Sequence, residues 1–512
     1  MNQSLPSWLE RATVAFLFLY AAAAPHSIAG TQTAWLLATL CWVLRLCVRP
    51  RPKLFRTPVD GWLLGFFVLT FLTALTSYNP EVSIGKLRAA SLFTAVYVAA
   101  ENVRSPRVLR ALALTLVASC ALGVVHTFAT YAKGRGVKLR ALAAESPLRA
   151  VRLDEGDTVF SVDGAEVGSP EEIVRAVETE RPAPRERVMR HPDGKVACRW
   201  DAQVACVRVY RAEALPAANV SRAGLLPGAT AEERLGILAW SRGRDERASG
   251  FYGQYQTYAE VLQLVASLAL GLLVALRRKV SLKGALLALA LAGMCGALLL
   301  TVTRASWAGF LLSALTVALV GASRRTLLLT AGLALPLAAA GLLVLQQKRQ
   351  VGFIDPNEGS TSWRLLVWKE GAHILVGKPR HLLVGVGMDS LKRRWREWGM
   401  FDRGRQPWGH LHSTPLQIAF ERGVPALLVW AGWLFVYGRV LWRLARGSSE
   451  DWVARGLGLG GFGGLIGFVA AGLVHYNFGD SEVVMVFYLI MGLALAAERL
   501  VGGVNREPGA RV

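Results

Sequence analysis

The stretch "WGHLHSTPLQIAFERGVPALLVW", residues 408–430, sets His410 and His412 beside Ser413 and Thr414, then Gln417 and Glu421, directly ahead of an apolar run. Imidazole changes charge near neutrality, so such a cluster can take or give a proton under physiological conditions. Gln417, one helical turn beyond Ser413, can orient a sugar hydroxyl or an imidazole. The same residues also suit an interfacial anchor, with Trp408 and the histidines among lipid headgroups. Two histidines and a hydroxyl pair at one depth exceed what an anchor needs, so both readings stand at this stage.

Three arginines invite a similar question. Arg304, in "LLLTVTRASWAGF", lies between two apolar runs with almost no loop to free it. A charge so near hydrocarbon must reach the interface or meet an anion. Arg364, in "STSWRLLVWKEGAHILVGKP", opens an amphipathic helix, and Arg247 precedes "SGFYGQYQTYAEVL", where the chain turns apolar again. Guanidinium forks match phosphate oxygens, so these arginines and the histidines could ring one cavity for a lipid-linked diphosphate. His475, in "LVHYNFGDSE", is a further candidate lining residue. The basic run "LKRRWREW", residues 391–398, reads instead as a helix lying on anionic headgroups. His26 and His126 read as interior residues of apolar spans, and His191 as part of a polar turn.

These groups need a membrane scaffold. The chain has 512 residues, of which 53% are hydrophobic and only 18% charged. Apolar runs predict about twelve spans, each long enough for a hydrocarbon core of ~30 Å. They centre on 11–30, 33–48, 59–77, 87–101, 108–131, 255–276, 283–302, 305–321, 326–346, 423–442, 457–474 and 482–499. The expected fold class is an all-α polytopic membrane protein with a small α/β insertion. The net charge of +22 sits mostly in alternate short gaps, such as Arg49–Arg56 and Arg277–Lys283. That is an orientation signal and not a nucleic-acid footprint. With both termini on the cytoplasmic side every basic gap becomes cytoplasmic, and residues 132–254 and 347–411 face outward. Five segments follow: membrane helices over 1–131, an external insertion over 132–254, central helices over 255–346, an external loop over 347–411, and C-terminal helices over 412–512.

The two outer segments differ in character. Residues 347–411 carry twelve Lys and Arg against six Asp and Glu, whereas the insertion holds half of the acids of the chain. The insertion is therefore a poor polyanion binder. Within it, residues 150–213 read as a small soluble module. Two short strands flank an Asp163–Gly164 turn, a helix starts at Ser169, and "KVACRWDAQVACVRVYRAE" alternates like a hairpin. The run "LDEGDTVFSVDG" and the helix after it are similar to the central part of a PDZ domain. Cys198 and Cys206 could bridge that hairpin outside the reducing cytoplasm. No cysteine spacing of the metal-binding kind occurs, and no P-loop, dinucleotide fingerprint or Asp-x-Asp pair points to a nucleotide or a cofactor.

Four blocks together resemble the O-antigen ligase and polymerase superfamily. "HSTPLQIAFERGVPALL" is similar to its late-helix signature, carried by His412, Ser413, Leu416, Gln417, Glu421 and Gly423. "SWRLLVWKEGAHILVGKPRHLLVGVGMDS" resembles its Arg-Leu-x-x-Trp run with the glycines after it, "TVTRASWAGF" its Arg-x-x-Trp block, and "RASGFYGQYQTYAEVL" its entry to a central span. Ser413 stands where Asn is commoner, and the 132–254 insertion is larger than usual. The resemblance implies a helical, metal-independent glycosyltransferase of the GT-C kind without a cofactor. Its donor would be an undecaprenyl-diphosphate-linked glycan, and its acceptor lipid A–core or a second lipid-linked glycan, at the periplasmic face of the bacterial inner membrane. Arg304 and Arg364 would then grip the diphosphate and His412 would serve the acceptor hydroxyl as base or orienting partner. His410 is its rival, while Arg247, Ser413, Gln417 and His475 are substrate contacts. A transporter would need two similar halves, which the sequence lacks, and a peptide-binding scaffold would reside in the insertion.

Overall fold

The computed structural model describes residues 4–179, 188–190, 196–199, 203–210, 217–244, 247–321, 359–406, 409–447 and 451–504, with scattered positions between 324 and 343. The expected span 326–346, Arg325 and Trp408 therefore lie wholly or mainly outside the described residues. The chain opens with α1 (Ser4–Ala23), α2 (Ile28–Cys47) and α3 (Asp60–Leu75), then a segmented helical stretch, α4 (Pro80–Asn102), and α5 (Pro106–Lys133). The side chain of Ser27 caps α2 by accepting from Gly30 N at 3.1 Å, which cuts the expected 11–30 run short and starts the next helix at residue 28. Among the described residues eight helices are long and apolar enough to cross a membrane, and α3 is a shorter apolar helix.

Within residues 135–243 the insertion forms a six-stranded antiparallel sheet with its own core and a separate two-stranded ribbon. Its principal strands are β1 (Arg135–Leu142), β2 (Thr158–Val162), β3 (Ala165–Glu166), β6 (Val204–Tyr210), β7 (Ala217–Ser221) and β8 (Ile237–Gly243), with β4 (Val188–Arg190) paired to β5 (Val196–Arg199). The order is β7-β6-β2-β1-β8. Asp163 and Gly164, both at positive φ, make the two-residue turn between β2 and β3. Ser169 caps α6 (Pro170–Glu178) as expected. The module is wider than 150–213, because β1 and β8 close it, and β6 pairs with β2 and β7 where a hairpin with β5 was expected. Cys206 is disulfide-bonded, while Cys41, Cys47, Cys120 and Cys295 are free. The side chain of Cys198 lies outside the described residues.

The membrane core then runs through α7 (Tyr255–Ala275), α8 (Leu282–Leu300), α9 (Arg304–Gly321), α10 (Gly359–Val376), whose apolar residues do not gather on one face as expected, α11 (Thr414–Arg446), α12 (Trp452–Gly472) and α13 (Ser481–Val504). Helix α7 is its axis, buried along nearly its whole length. It lies against α12 through glycines: a Cβ on Gly271 would sit 2.2 Å from Gly460 N. Small residues at such contacts let helix backbones approach closely where lipid provides no hydrophobic drive. Gln263 of α7 adds polar glue, donating to Ser313 Oγ of α9 at 2.9 Å.

Helix ends sort onto two sides. At one end Tyr252 Oη donates to Ala24 O at 2.5 Å, Ala248 N to Leu300 O at 2.9 Å, and Tyr78 N to Val386 O at 3.1 Å. The insertion and residues 359–411 gather there. At the opposite end Arg45 meets Glu10 at 2.8 Å and Arg499 Nη2 donates to Val103 O at 2.8 Å. Both described termini lie at that arginine-rich end.

Candidate functional site

The site is built around a break in α11. Gly423 leaves helical geometry (φ 83°, ψ 165°), and Pro425 just beyond has no N–H to restore the ladder. The carbonyls released by the break are satisfied from outside: Val386 N donates to Phe420 O and Gly387 N to Glu421 O, each at 2.9 Å. A Cβ on Gly385, where φ is 67°, would lie 2.3 Å from the Glu421 carbonyl carbon, so only glycine admits this approach. The Gly-x-Gly block and the Glu-x-Gly block of the sequence are thus two sides of one contact.

The break turns neighbouring side chains inward. Glu421 pairs with Arg422 at 3.0 Å and accepts from Gln417 Nε2 at 2.9 Å, Asp389 N at 3.1 Å and Tyr476 Oη at 3.3 Å. Gln417 in turn accepts from Leu411 N at 2.7 Å, tying the histidine loop to the network. Asp389, at φ 56°, reaches Lys86 at 2.8 Å and Lys392 at 3.1 Å. Burial works against its charge, but the two ammonium groups prevail and hold its carboxyl below the usual range.

His410 and His412 lie with ring centroids 4.0 Å apart and their planes tilted by 37°, and Trp363 sets its ring edge-on to His412 at 4.8 Å. His412 adopts φ 47°, uncommon for a side-chain-bearing residue, and its amide donates to His410 Nδ1 at 3.2 Å. Burial, then the charges of Lys392 and His475, push His410 down to about 4. Burial, then His410, His475 and Arg364, push His412 down to about 2. Both imidazoles are neutral at pH 7. Opposite them His475 Nδ1 lies 2.9 Å from Glu260 Oε1. Thr414 fixes that loop by donating to His475 O at 3.1 Å and contacting Asn477 Oδ1 at 2.8 Å.

These groups enclose a cavity of about 420 Å³ at the insertion-bearing end of the bundle. Lys86 and Lys392 line it with their shared partner Asp389, and Arg422 with its partner Glu421, beside His410 and His412; Glu260, Asp480, Glu482 and His475 make up a further, acidic part of the lining. Of the residues expected from sequence, His410, His412 and His475 line it. Gln417 and Ser413 are buried behind the wall. Arg364 follows Trp363 on α10, near enough for its charge to act on His412. Arg304 is the first residue of α9, after Val302 at φ 50°, and it is not among the lining residues. Arg247 lines a separate hollow of about 250 Å³ with Arg135, Arg244 and His126, its guanidinium 4.5 Å over the Tyr255 ring. The three arginines and the histidines therefore do not make one ring.

The "LKRRWREW" run departs from its expected form. Its helix ends at Arg394; Lys392 turns to the cavity and Arg394 donates to Asn79 Oδ1 at 3.1 Å and Tyr78 O at 3.2 Å. Lys86, Asp389, Arg422, Tyr476 and Asp480 were not singled out in the sequence. An acid inside an apolar run, as Glu260 is, was the one signal available for the far wall. Among the described residues no group of three His, Cys, Asp or Glu side chains is arranged to hold a metal ion.

Residues 287–431 match the family model described as O-antigen ligase. Over that segment, somewhat more than a quarter of the chain, the protein is similar to the O-antigen ligase family. No curated protein matches it. The matched segment carries Arg304, Arg364, His410, His412, Ser413 and Gln417, together with the α11 break. The acidic part of the cavity lining, with Glu260, His475, Asp480 and Glu482, lies outside that segment, as does Lys86.

Proposed function

We propose that the cavity transfers a glycan from undecaprenyl diphosphate to a hydroxyl of an acceptor sugar, in the manner of an O-antigen ligase acting on lipid A–core. One observation carries this reading: a cavity at one end of a membrane bundle that combines Lys86, Lys392 and Arg422 with histidines and carboxylates and is built in part from the family-matched segment. Lys86, Lys392 and Arg422 face the diphosphate, with Arg364 adding charge from behind His412 and Arg304 guiding the headgroup at the start of α9. Fixed cations aimed at charge that grows as the anomeric C–O bond breaks act without reorganisation, and loss of one such donor costs ~10²–10³ in rate. His412, neutral and pre-positioned, orients the reacting groups. The same cations supply the charge that a divalent ion provides in other glycosyltransferases.

The arginine-rich end, with both described termini, then faces the cytoplasm, and the cavity opens to the periplasm from the inner membrane. Deletion of the gene followed by gel analysis of glycolipids tests the reading. Loss of all polymer on lipid A–core indicates a ligase. Caps of a single repeat indicate a polymerase, and an unchanged glycolipid and exopolysaccharide pattern overturns the proposal.

A further inference from the structure

The acidic wall holds a buried pair with the geometry of a proton acceptor. Glu260 comes from the second turn of α7 and His475 from the loop between α12 and α13, and both side chains are more than nine-tenths buried. His475 Nδ1 lies 2.9 Å from Glu260 Oε1; with Glu260 ionised, Nδ1–H is the donor and Nε2 is left as the acceptor nitrogen. Thr414 and Asn477 hold the loop in place, Asn477 Nδ2 donating to Phe468 O at 2.8 Å. Beside the pair, Thr257 donates to Asp480 at 2.5 Å, and both residues line the cavity. His412 lacks such support. The groups that act on its charge are His410, His475 and Arg364, and no carboxylate is among them.

Resting on the transfer reading above, we propose that the His475–Glu260 pair is the proton acceptor for the acceptor sugar hydroxyl, and that the acidic wall is the acceptor subsite. As the acceptor oxygen bonds to the anomeric carbon, the anomeric C–O(phosphate) bond breaks and its electron pair leaves with the lipid diphosphate. The hydroxyl proton passes to His475 Nε2, and Glu260 balances the imidazolium so formed. His410 and His412 face this pair from the loop before α11, Glu421 and Arg422 from α11 itself, and Tyr476 and Asp480 from the chain following His475.

The test uses the full chain in lipid nanodiscs with undecaprenyl-diphosphate-linked repeat as donor and lipid A–core as acceptor, and it follows transfer and donor binding separately. His475→Ala lowers kcat by ~10²–10⁴ while the KM for donor stays within about threefold. Its residual rate climbs with pH, and added imidazole restores part of it. Glu260→Gln lowers the maximal rate and moves the acid limb of the pH–rate profile to lower pH, because loss of the carboxylate weakens the base. Glu260→Asp, which keeps the charge, retains more activity than Glu260→Gln and serves where the alanine variant is not recovered. Variants that transfer at wild-type rate with an unmoved acid limb overturn the assignment. A wild-type chain that binds donor and transfers nothing overturns the underlying transfer reading instead.

Discussion

The Gly387 amide donates to the Glu421 carbonyl at 2.9 Å, joining the loop before the histidines to the broken helix after them. A Cβ on Gly387 would stand 1.8 Å from Ser77 Oγ, and one on Gly423 would stand 2.3 Å from Leu383 O. Both positions also need positive φ. Gly387→Ala and Gly423→Ala therefore lower the thermal midpoint and reduce transfer. Gly65→Ala, whose Cβ meets nothing nearer than Val429 at 3.7 Å, leaves both unchanged. Equal losses in all three variants would remove the special role of the loop.

Glu421 and Arg422 test whether their pair is structural or chemical. Glu421→Ala leaves a buried guanidinium without its closest partner, at a cost of ~3–5 kcal/mol. The double replacement Glu421→Leu with Arg422→Met removes both charges and recovers most of the thermal stability. Transfer stays abolished in the double variant, because Arg422 no longer faces the diphosphate. Restored transfer would contradict that role.

Acid sensitivity follows from the two adjacent histidines, His410 and His412. In the fold His410 titrates near about 4 and His412 near about 2, against 6.5 for an ordinary imidazole. The unfolded chain therefore binds protons that the folded chain refuses as pH falls from about 6.5 towards about 4, and stability drops across that window. Above it their contribution is flat. Asp389, lowered from 3.8, gives up its own contribution only at still lower pH. The melting temperature in nanodiscs between pH 7.5 and 4.5 checks this, and replacing both histidines by Gln flattens the curve.

His412→Ala, Arg304→Ala and Arg364→Ala each abolish polymer transfer while the protein remains inserted and abundant. Membrane immunoblots read the abundance and glycolipid gels read the transfer. A well-expressed His412→Ala strain with a normal surface polysaccharide would remove His412 from the chemistry.

The insertion is separable from the bundle. Arg135 pairs with Gly243 across β1 and β8, so the two ends of the module lie side by side. Replacing 135–243 with a short Gly-Ser linker leaves the bundle folded and transfer measurable. Complete loss of transfer from a folded deletion variant would place the insertion within the acceptor site, the outcome a peptide-binding scaffold also requires.

Much of this was legible in the chain. Runs of apolar residues and the Ser169 and Asp163–Gly164 signals depend on neighbours a few residues apart, and each appears in the structure. The span boundaries moved where a cap outweighed hydropathy, as at Ser27. The histidine block was visible for the same local reason.

What composition and spacing determined is therefore a membrane bundle with ionisable groups held at one end. Which of those groups meet was decided in three dimensions. Lys86 reaches Asp389 across some 300 residues, Glu260 reaches His475 across 215, and Arg247 is drawn into a different hollow from His412. Hydropathy reports how each segment partitions between water and lipid, one segment at a time. The pairing of charges across a cavity depends on how helices pack and where one of them breaks, and those are properties of the assembled bundle alone.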